Sequence, residues 1–493
     1  MAGRGRGRIM TPDAEVANPS LLRPRQLSQT HDAAPVAFSR SNPVKIGLLE
    51  HCGSGNLGDD ATVAAALGQI RRRWPHASLI GLSLNPCDSQ ERHGIQCFAI
   101  RRNVYPCQQE WTSTFRSRIS QTISLKDRIK KLLKAMHCFP LVKAGYRLTA
   151  GALLELILEA KFLITSRSLA RKLDVLVICG GGQLLDWGGP WRFPYTLFKW
   201  VVLAKLGGAK CVFLNNGAGP LDHRLSRWFI NRSLSLADYV SFRDENSSAF
   251  IRSIGFKGAS RVVADCAWSL DIDKRPQPLH PLPKEAGLTI GIAPMAYCDP
   301  SRHWVHDEAR YQRLIRNLTE FGVRLIRGGH RLKIFSSDIW FDSKAISDLE
   351  AAIRSECPMD AMGRITCGAV NDIDDLLARL AEVDCYVTCR FHGVVLAHLL
   401  NIPAVAVAPH PKVTTLMEDW GLSAYCVDIA ACDGGRLTAA FERLVANIDD
   451  VKHRIGSNVA ASQRELDRQF DELFPAHLVG NQAGAARPLE VRQ

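Results

Sequence analysis

Short apolar strands, each running into a glycine-bearing loop and then a helix, recur along this chain and leave few folds open to it. Val44-Lys45-Ile46-Gly47-Leu48-Leu49 reads as a strand, His51 to Asp59 as a loop with three glycines, and Ala61 to Ile70 as a helix. The unit returns at Ala77–Leu84, at Val175–Cys179 before Gly180-Gly181-Gly182, at Cys211–Leu214 and at Tyr239–Phe242. A second series follows at Leu288–Ile292, Leu332–Phe335, Cys385–Thr388 and Ala404–Val407. Apolar strands separated by helices call for parallel sheets covered on both faces. The expected fold class is α/β, with two Rossmann-like domains and a central cleft.

The expected boundaries follow from composition. Residues 1–42 are rich in Pro, Ser, Arg and Gln without periodicity and read as a disordered arm. An N-terminal Rossmann-like domain is expected over residues 43–272 and a C-terminal one over 287–475. The four prolines between Asp271 and Ala286 disfavour helix and central strand, so a Pro-rich linker is placed at 273–286. Residues 476–493 read as a flexible tail.

Charge narrows the class of partner. The formal net charge is +13, and residues 101–150 supply +9 of it, with 11 Lys/Arg against Glu110 and Asp127. The rest of the chain is close to neutral, which argues against a nucleic-acid channel and for a local anionic partner. Within this insertion Phe115, Ile119, Ile123, Ile129, Leu132, Leu133 and Met136 recur at helical spacing among lysines and arginines. That pattern suits a helix packed by its apolar stripe, and also peripheral contact with an anionic membrane. The 15 cysteines contain no C-x-x-C pair and sit mostly in apolar runs, as buried thiols in a reducing cytosol do. No metal site is expected.

Ligands of doubly wound sheets bind beyond the carboxyl ends of the strands, so polar residues just after each strand are the candidates. Asn56, Gly58 and Asp59 follow the first strand, and Asp59 is placed to cap the next helix. Gly181 and Gly182, with Asp186 beyond them, follow the strand at 175–179, and Gly217 and Gly219 follow the one at 211–214. Each loop alone is ordinary turn chemistry. Three of them at one sheet edge indicate a binding cleft. Arg243 and Arg390 follow strands directly, Arg243 with Asp244 as a structural salt-bridge partner at hand. Arg390 and His392 straddle one apolar residue, and extended spacing would turn both into the cleft. A guanidinium grips carboxylate or phosphate and histidine titrates near neutrality; Lys412 is a further anion ligand.

Taken in order, Gly55-Asn56-Leu57-Gly58-Asp59-Asp60, Gly180-Gly181-Gly182 with Asp186, Gly217-Ala218-Gly219-Pro220-Leu221, Phe242-Arg243-Asp244 with Ser247, Val263-Ala264-Asp265, and Arg390-Phe391-His392-Gly393 with Ala397, Pro403 and Lys412 resemble the polysaccharide pyruvyl transferase family. The resemblance spans residues 44 to about 425. Phe391 stands where the family more usually has leucine, and the basic insertion has no counterpart. The resemblance implies a fold similar to the glycosyltransferase B fold and transfer of pyruvate from phosphoenolpyruvate to two sugar hydroxyls, giving a cyclic ketal. Phosphoenolpyruvate is then a co-substrate and no cofactor is needed; the acceptor is a sugar of a glycan or a lipid-linked oligosaccharide. Arg243, Arg390 and Lys412 would bind the donor, His392 would transfer protons, and Asp59 would orient an arginine or accept a hydroxyl proton. The implied location is the cytoplasm, peripherally at the inner face of the membrane. The alternative is a nucleotide-sugar glycosyltransferase of the same architecture.

Overall fold

The computed structural model describes residues 43–50, 53, 55–102, 150–186, 188–273, 287–301 and 305–475. The arm, nearly all of the basic insertion, the linker from residue 274 and the tail lie outside them.

Among the described residues thirteen parallel strands form two sheets. The first holds β1 (Lys45–Leu49), β2 (Ser78–Ser83), β3 (Gln96–Ala99), β4 (Val175–Cys179), β5 (Lys210–Asn216), β6 (Tyr239–Phe242) and β7 (Arg261–Val262), in the order β3-β2-β1-β4-β5-β6-β7. The second holds β8 (Thr289–Ala293), β9 (Arg331–Ile334), β10 (Ile365–Cys367), β11 (Cys385–Thr388), β12 (Ala404–Ala408) and β13 (Cys426–Asp428), in the order β10-β9-β8-β11-β12-β13. Both sheets reverse direction of growth beside their first strand, between β1 and β4 and between β8 and β11, and at such switch points the loops diverge and open a crevice. The strands are apolar throughout because both faces are covered; every residue of β4, β8, β11 and β12 is buried.

Among the described residues the helices are α1 (Leu57–Arg73), α2 (Pro86–His93), α3 (Ala150–Ala170), α4 (Phe193–Gly207), α5 (Arg224–Leu236) and α6 (Glu245–Ser253), followed by α7 (Glu308–Arg327), α8 (Ser343–Glu356), α9 (Ile373–Ala381), α10 (Phe391–Leu399), α11 (Pro411–Asp419), α12 (Gly434–Ala446) and α13 (Ile448–Leu473). Side-chain caps fix several starts: the Asp244, Asp307 and Asp372 carboxylates accept from Ser247 N, Arg310 N and Asp375 N. Helix α1 begins four residues before the expected Ala61, because Asn56 caps it. Asp59 is therefore not the cap; it lies in the first turn.

The halves meet closely. Backbone bonds run from Leu57 N to Ser337 O (2.8 Å) and from Ile339 N to Gly55 O (2.9 Å), and Trp268 stacks on Trp420 with centroids 4.3 Å apart. The last turns of α13 return to the first sheet. There buried Gln469 donates to Asn215 Oδ1 (2.8 Å), lies 2.9 Å from the Tyr239 hydroxyl, and accepts from Asn215 Nδ2 (2.9 Å). Nearby, Trp74 Nε1 donates to Pro475 O at 3.2 Å, and Arg73 pairs with Asp471 at 2.7 Å.

Replacing Gln469 by Leu keeps the volume but leaves Asn215 and its neighbours short of partners in the interior. Urea unfolding should show a loss of about 1–3 kcal/mol; an unchanged midpoint would mean that the network contributes nothing.

Candidate functional site

The loops after β1, β4, β5 and β6 of the first sheet face those after β9, β11 and β12 of the second. At the centre, the N-termini of α1 and α10 abut. A Cβ on Gly58 would lie 2.3 Å from both Cβ and Nδ1 of His392, so glycine is what lets the histidine in. His392 is buried, with Nε2 3.4 Å from Thr62 Oγ1 and 3.7 Å from Asp265 Oδ2.

Asp265, just after β7, joins these groups. Its Oδ1 accepts from Ala267 N at 3.0 Å and lies 3.4 Å from Thr62 Oγ1; its Oδ2 takes Arg243 Nη1 at 3.4 Å. Burial opposes its ionisation, but His392, Arg243 and the Ala267 amide outweigh burial and hold the carboxyl well below the usual range. Arg243 also pairs with Asp244 at 3.2 Å, the structural partner expected from sequence. Its guanidinium passes so close to Gly217 that a Cβ there would sit 2.6 Å from Cζ, and it lies over the Phe391 ring at 4.5 Å.

Arg390 is held by carboxylates of the loop after β9. Nε and Nη2 donate to Asp342 at 2.8 and 2.6 Å, and Nη2 lies 3.2 Å from Asp338. Asp342 is fully buried and also accepts from Ala296 N and Ser336 Oγ. The bidentate face of the guanidinium is thus filled by protein, which makes Arg390 the strut of the loop after β9. Burial and the neighbouring Asp342 raise the Asp338 carboxyl, against the pull of Arg390. Nor do residues 390–392 have extended spacing: Arg390 is the N-cap of α10 and His392 stands in its first turn, so the two side chains reach different partners.

Lys412, in the first turn of α11, lies 5.8 Å from the centre of the Phe391 ring. Among the described residues no carboxylate comes within ion-pair distance of it, unlike Arg243 and Arg390. Burial and the charges of Arg243 and Arg390 bring its ammonium down to about 8, against the attraction of Asp59 and Asp265. Asp59 is raised, first by burial and then by Asp60 and Asp265, with His392 and Lys412 opposing. It accepts from Asn56 Nδ2 at 2.9 Å, and among the described residues no arginine lies within ion-pair distance of it.

The glycine loops divide. Gly181 has φ +66° and a Cβ there would come within 3.2 Å of Asp59 Oδ1, so it belongs to the site. Gly182 and Gly219 meet only Leu185. Asp186 lies outside the cluster: its carboxylate accepts from Asp222 N (2.9 Å) and His223 N (3.0 Å), tying two loops together. Asp265, Asp342 and Asp338 were not singled out as site residues by sequence reasoning, although Asp265 ends a quoted motif.

The polysaccharide pyruvyl transferase family model matches residues 56–411, well over half the chain. The chain belongs to this family. The matched span includes Asp59, Arg243, Asp265, Asp342, Arg390 and His392 and stops one residue before Lys412. No curated protein matches the sequence. Similar solved structures include a UDP-N-acetylglucosamine 2-epimerase, with 10% identity over 88% of this chain and 96% of that one and a TM-score of 0.50. The UDP-GlcNAc 2-epimerase from Methanocaldococcus jannaschii has 10% identity over 81% and 92%, TM-score 0.47. The E. coli ADP-heptose lps heptosyltransferase II has 15% identity over 82% and 100%, TM-score 0.39. At these identities the likeness is one of fold. The fold is α/β with two Rossmann-like domains, as in the first of these epimerases.

Gly58→Ala forces a methyl group into His392, an overpacking that costs about 1–3 kcal/mol. The His392 ring resonances should shift and turnover should fall at least about tenfold. Gly68→Ala in the same helix, with open space around its Cβ, should preserve both. Equal behaviour of the two variants would remove the Gly58–His392 contact from the mechanism.

Proposed function

We propose that this cleft transfers the pyruvyl group of phosphoenolpyruvate to two hydroxyls of one sugar, in a polysaccharide or its lipid-linked precursor, as a ketal. The observation that carries this reading is the seat formed by Lys412 and Arg243 over Phe391, next to His392 and Asp59. Phosphoenolpyruvate brings a carboxylate and a phosphate. Lys412, with no carboxylate paired to it, is the cation best placed to receive one of them, and Arg243 assists beside it.

In the proposed reaction the methylene carbon of the donor accepts a proton and its central carbon becomes electrophilic. One sugar hydroxyl adds there; the second displaces phosphate and closes the ring. Two hydroxyl protons leave, one enters the new methyl group and one departs with phosphate, so neither a cofactor nor a nucleotide is consumed. His392 is the proton donor to carbon, oriented by Asp265 and Thr62. Asp59, whose raised carboxyl exchanges protons more readily than an exposed aspartate, takes the hydroxyl proton. Asp342, by holding Arg390, keeps the loop after β9 against the α1 entry.

The decisive experiment supplies the purified protein with phosphoenolpyruvate and a panel of free and lipid-linked glycans and measures phosphate release. Acceptor-dependent release is expected. Its absence, together with turnover of a nucleotide sugar, would replace this reading by that of a glycosyltransferase.

Two further outcomes follow from the site. His392→Ala should lower turnover by about 10²–10⁴-fold while leaving donor binding largely intact; near-normal turnover in folded protein would exclude proton transfer by this residue. Lys412 is charged below its value of about 8 and neutral above it, whereas the donor is already fully ionised there. Donor affinity should therefore fall as pH rises through that value, and Lys412→Arg should abolish this limb. A pH dependence identical in the Arg variant would remove Lys412 from the donor seat.

A further inference from the structure

Helices α4 and α5 bury one face on the first sheet and leave a second apolar face in water. The inward face is ordinary core, with Leu197, Val201, Ile230 and Leu234 buried. On the outward face Trp191, just ahead of α4, is 66% exposed, Trp228 of α5 is 49% exposed, and Leu206 at the end of α4 is 69% exposed. The rings are contiguous: Trp191 meets Tyr195 at 5.5 Å, Phe198 meets Trp228 at 5.2 Å, and Phe229 touches all four. Helix α3 widens the patch with exposed Leu156, Ile157 and Ile164, and packs on α4 through Lys199, which pairs with Glu159 at 3.1 Å and lies over Phe162.

The charge of this face is one-sided. Neither α4 nor α5 carries any Asp or Glu; of the seven Lys/Arg in residues 191–236, Lys199 is buried against Glu159 and Lys205 and Lys210 pair with Asp238, which leaves four arginines with no carboxylate in ion-pair distance among the described residues. Arg192, Arg224, Arg227 and Arg232 are exposed among the tryptophans. Open apolar patches of this kind mark interaction surfaces. Tryptophan and leucine tips edged by arginine, with carboxylates almost absent, match the headgroup layer of an anionic bilayer, where rings insert and guanidinium groups meet phosphates.

We propose that the outward face of α4 and α5 docks on an anionic phospholipid surface. The amphipathic stretch at 115–136 of the basic insertion lies outside the described residues and has no part in this proposal. No described helix is long and apolar enough to cross a membrane. Each of the two helices starts where the chain leaves β4 or β5, so Trp191, Arg224 and Leu225 lie at the same sheet edge as the Gly181 and Gly217 loops. For a lipid-linked acceptor, which rests on the function proposed above, this brings the bilayer to the rim of the cleft.

The test is sedimentation of the full chain with phosphatidylcholine vesicles containing phosphatidylglycerol, against phosphatidylcholine alone. Binding to the first and not the second, reversed by salt, is expected. Trp191→Glu with Trp228→Glu should weaken it at least about tenfold, with phosphate release on a soluble acceptor unchanged. Should that pair disturb folding, Arg224→Gln with Arg232→Gln tests the same face without touching the rings. Four outcomes overturn the proposal: no binding to anionic vesicles, equal binding to neutral ones, variants that sediment like the parent, or a parent that self-associates through this face without lipid. The sedimentation readouts do not depend on phosphoenolpyruvate chemistry, so failure here is separate from failure of the functional reading.

Discussion

The contact between Gly58 and His392 is the constraint around which the cleft is organised. Two helix N-termini, one from each half, approach until only a hydrogen can stand between them and the imidazole. Because His392 also reaches Thr62 and Asp265, and Arg243 lies against Phe391, each half supplies a surface the other requires. Rotation of one half away from the other would part the histidine from its carboxylate and the arginine from its ring at once. Closing the cleft and assembling the site are one event.

Its electrostatics follow from unequal partnering. Among the described carboxylates of the cleft, Asp342 and Asp338 are committed to Arg390, and Asp265 and Asp244 to Arg243. Arg390, gripped by two carboxylates, organises a loop well but offers an incoming anion little net attraction, since its partners' charges are already in place. Lys412 is the exception, and Phe391 explains how it can be one. The ring presents a negative face to two cations whose mutual repulsion would otherwise drive them apart. An aliphatic residue at that position would pack, but it has no quadrupole to offer.

Much of this architecture is legible in the sequence because parallel strands buried on both faces are continuous apolar runs. Val175–Cys179 and Ala404–Ala408 announce themselves so. The margins do not: Arg261–Val262, Ile365–Cys367 and Cys426–Asp428 are two or three residues long and too polar to form a pattern. Within the site, the spacing of Arg390 and His392 misleads for a definite reason. All nine residues of α10 are buried, so the helix has no amphipathic stripe, and its start has no side-chain cap to mark it. Asp342 is invisible for another: its partner Arg390 is 48 residues away, and only the folded loop after β9 brings them together. The glycines were found but their purpose was not, since the space they leave at positions 58 and 217 is filled by the protein's own His392 and Arg243.

The return of α13 to the first sheet also bears on how the protein is made. Asn215, Tyr239 and Ser241 are synthesised early, yet Gln469, which completes their hydrogen bonding, follows 254 residues after Asn215. At ribosomal rates of about 5–20 residues per second, those strands wait on the order of ten seconds or more for their last partner. Through that interval the nascent first half carries these polar groups without their last partner, and water must stand in until α13 emerges.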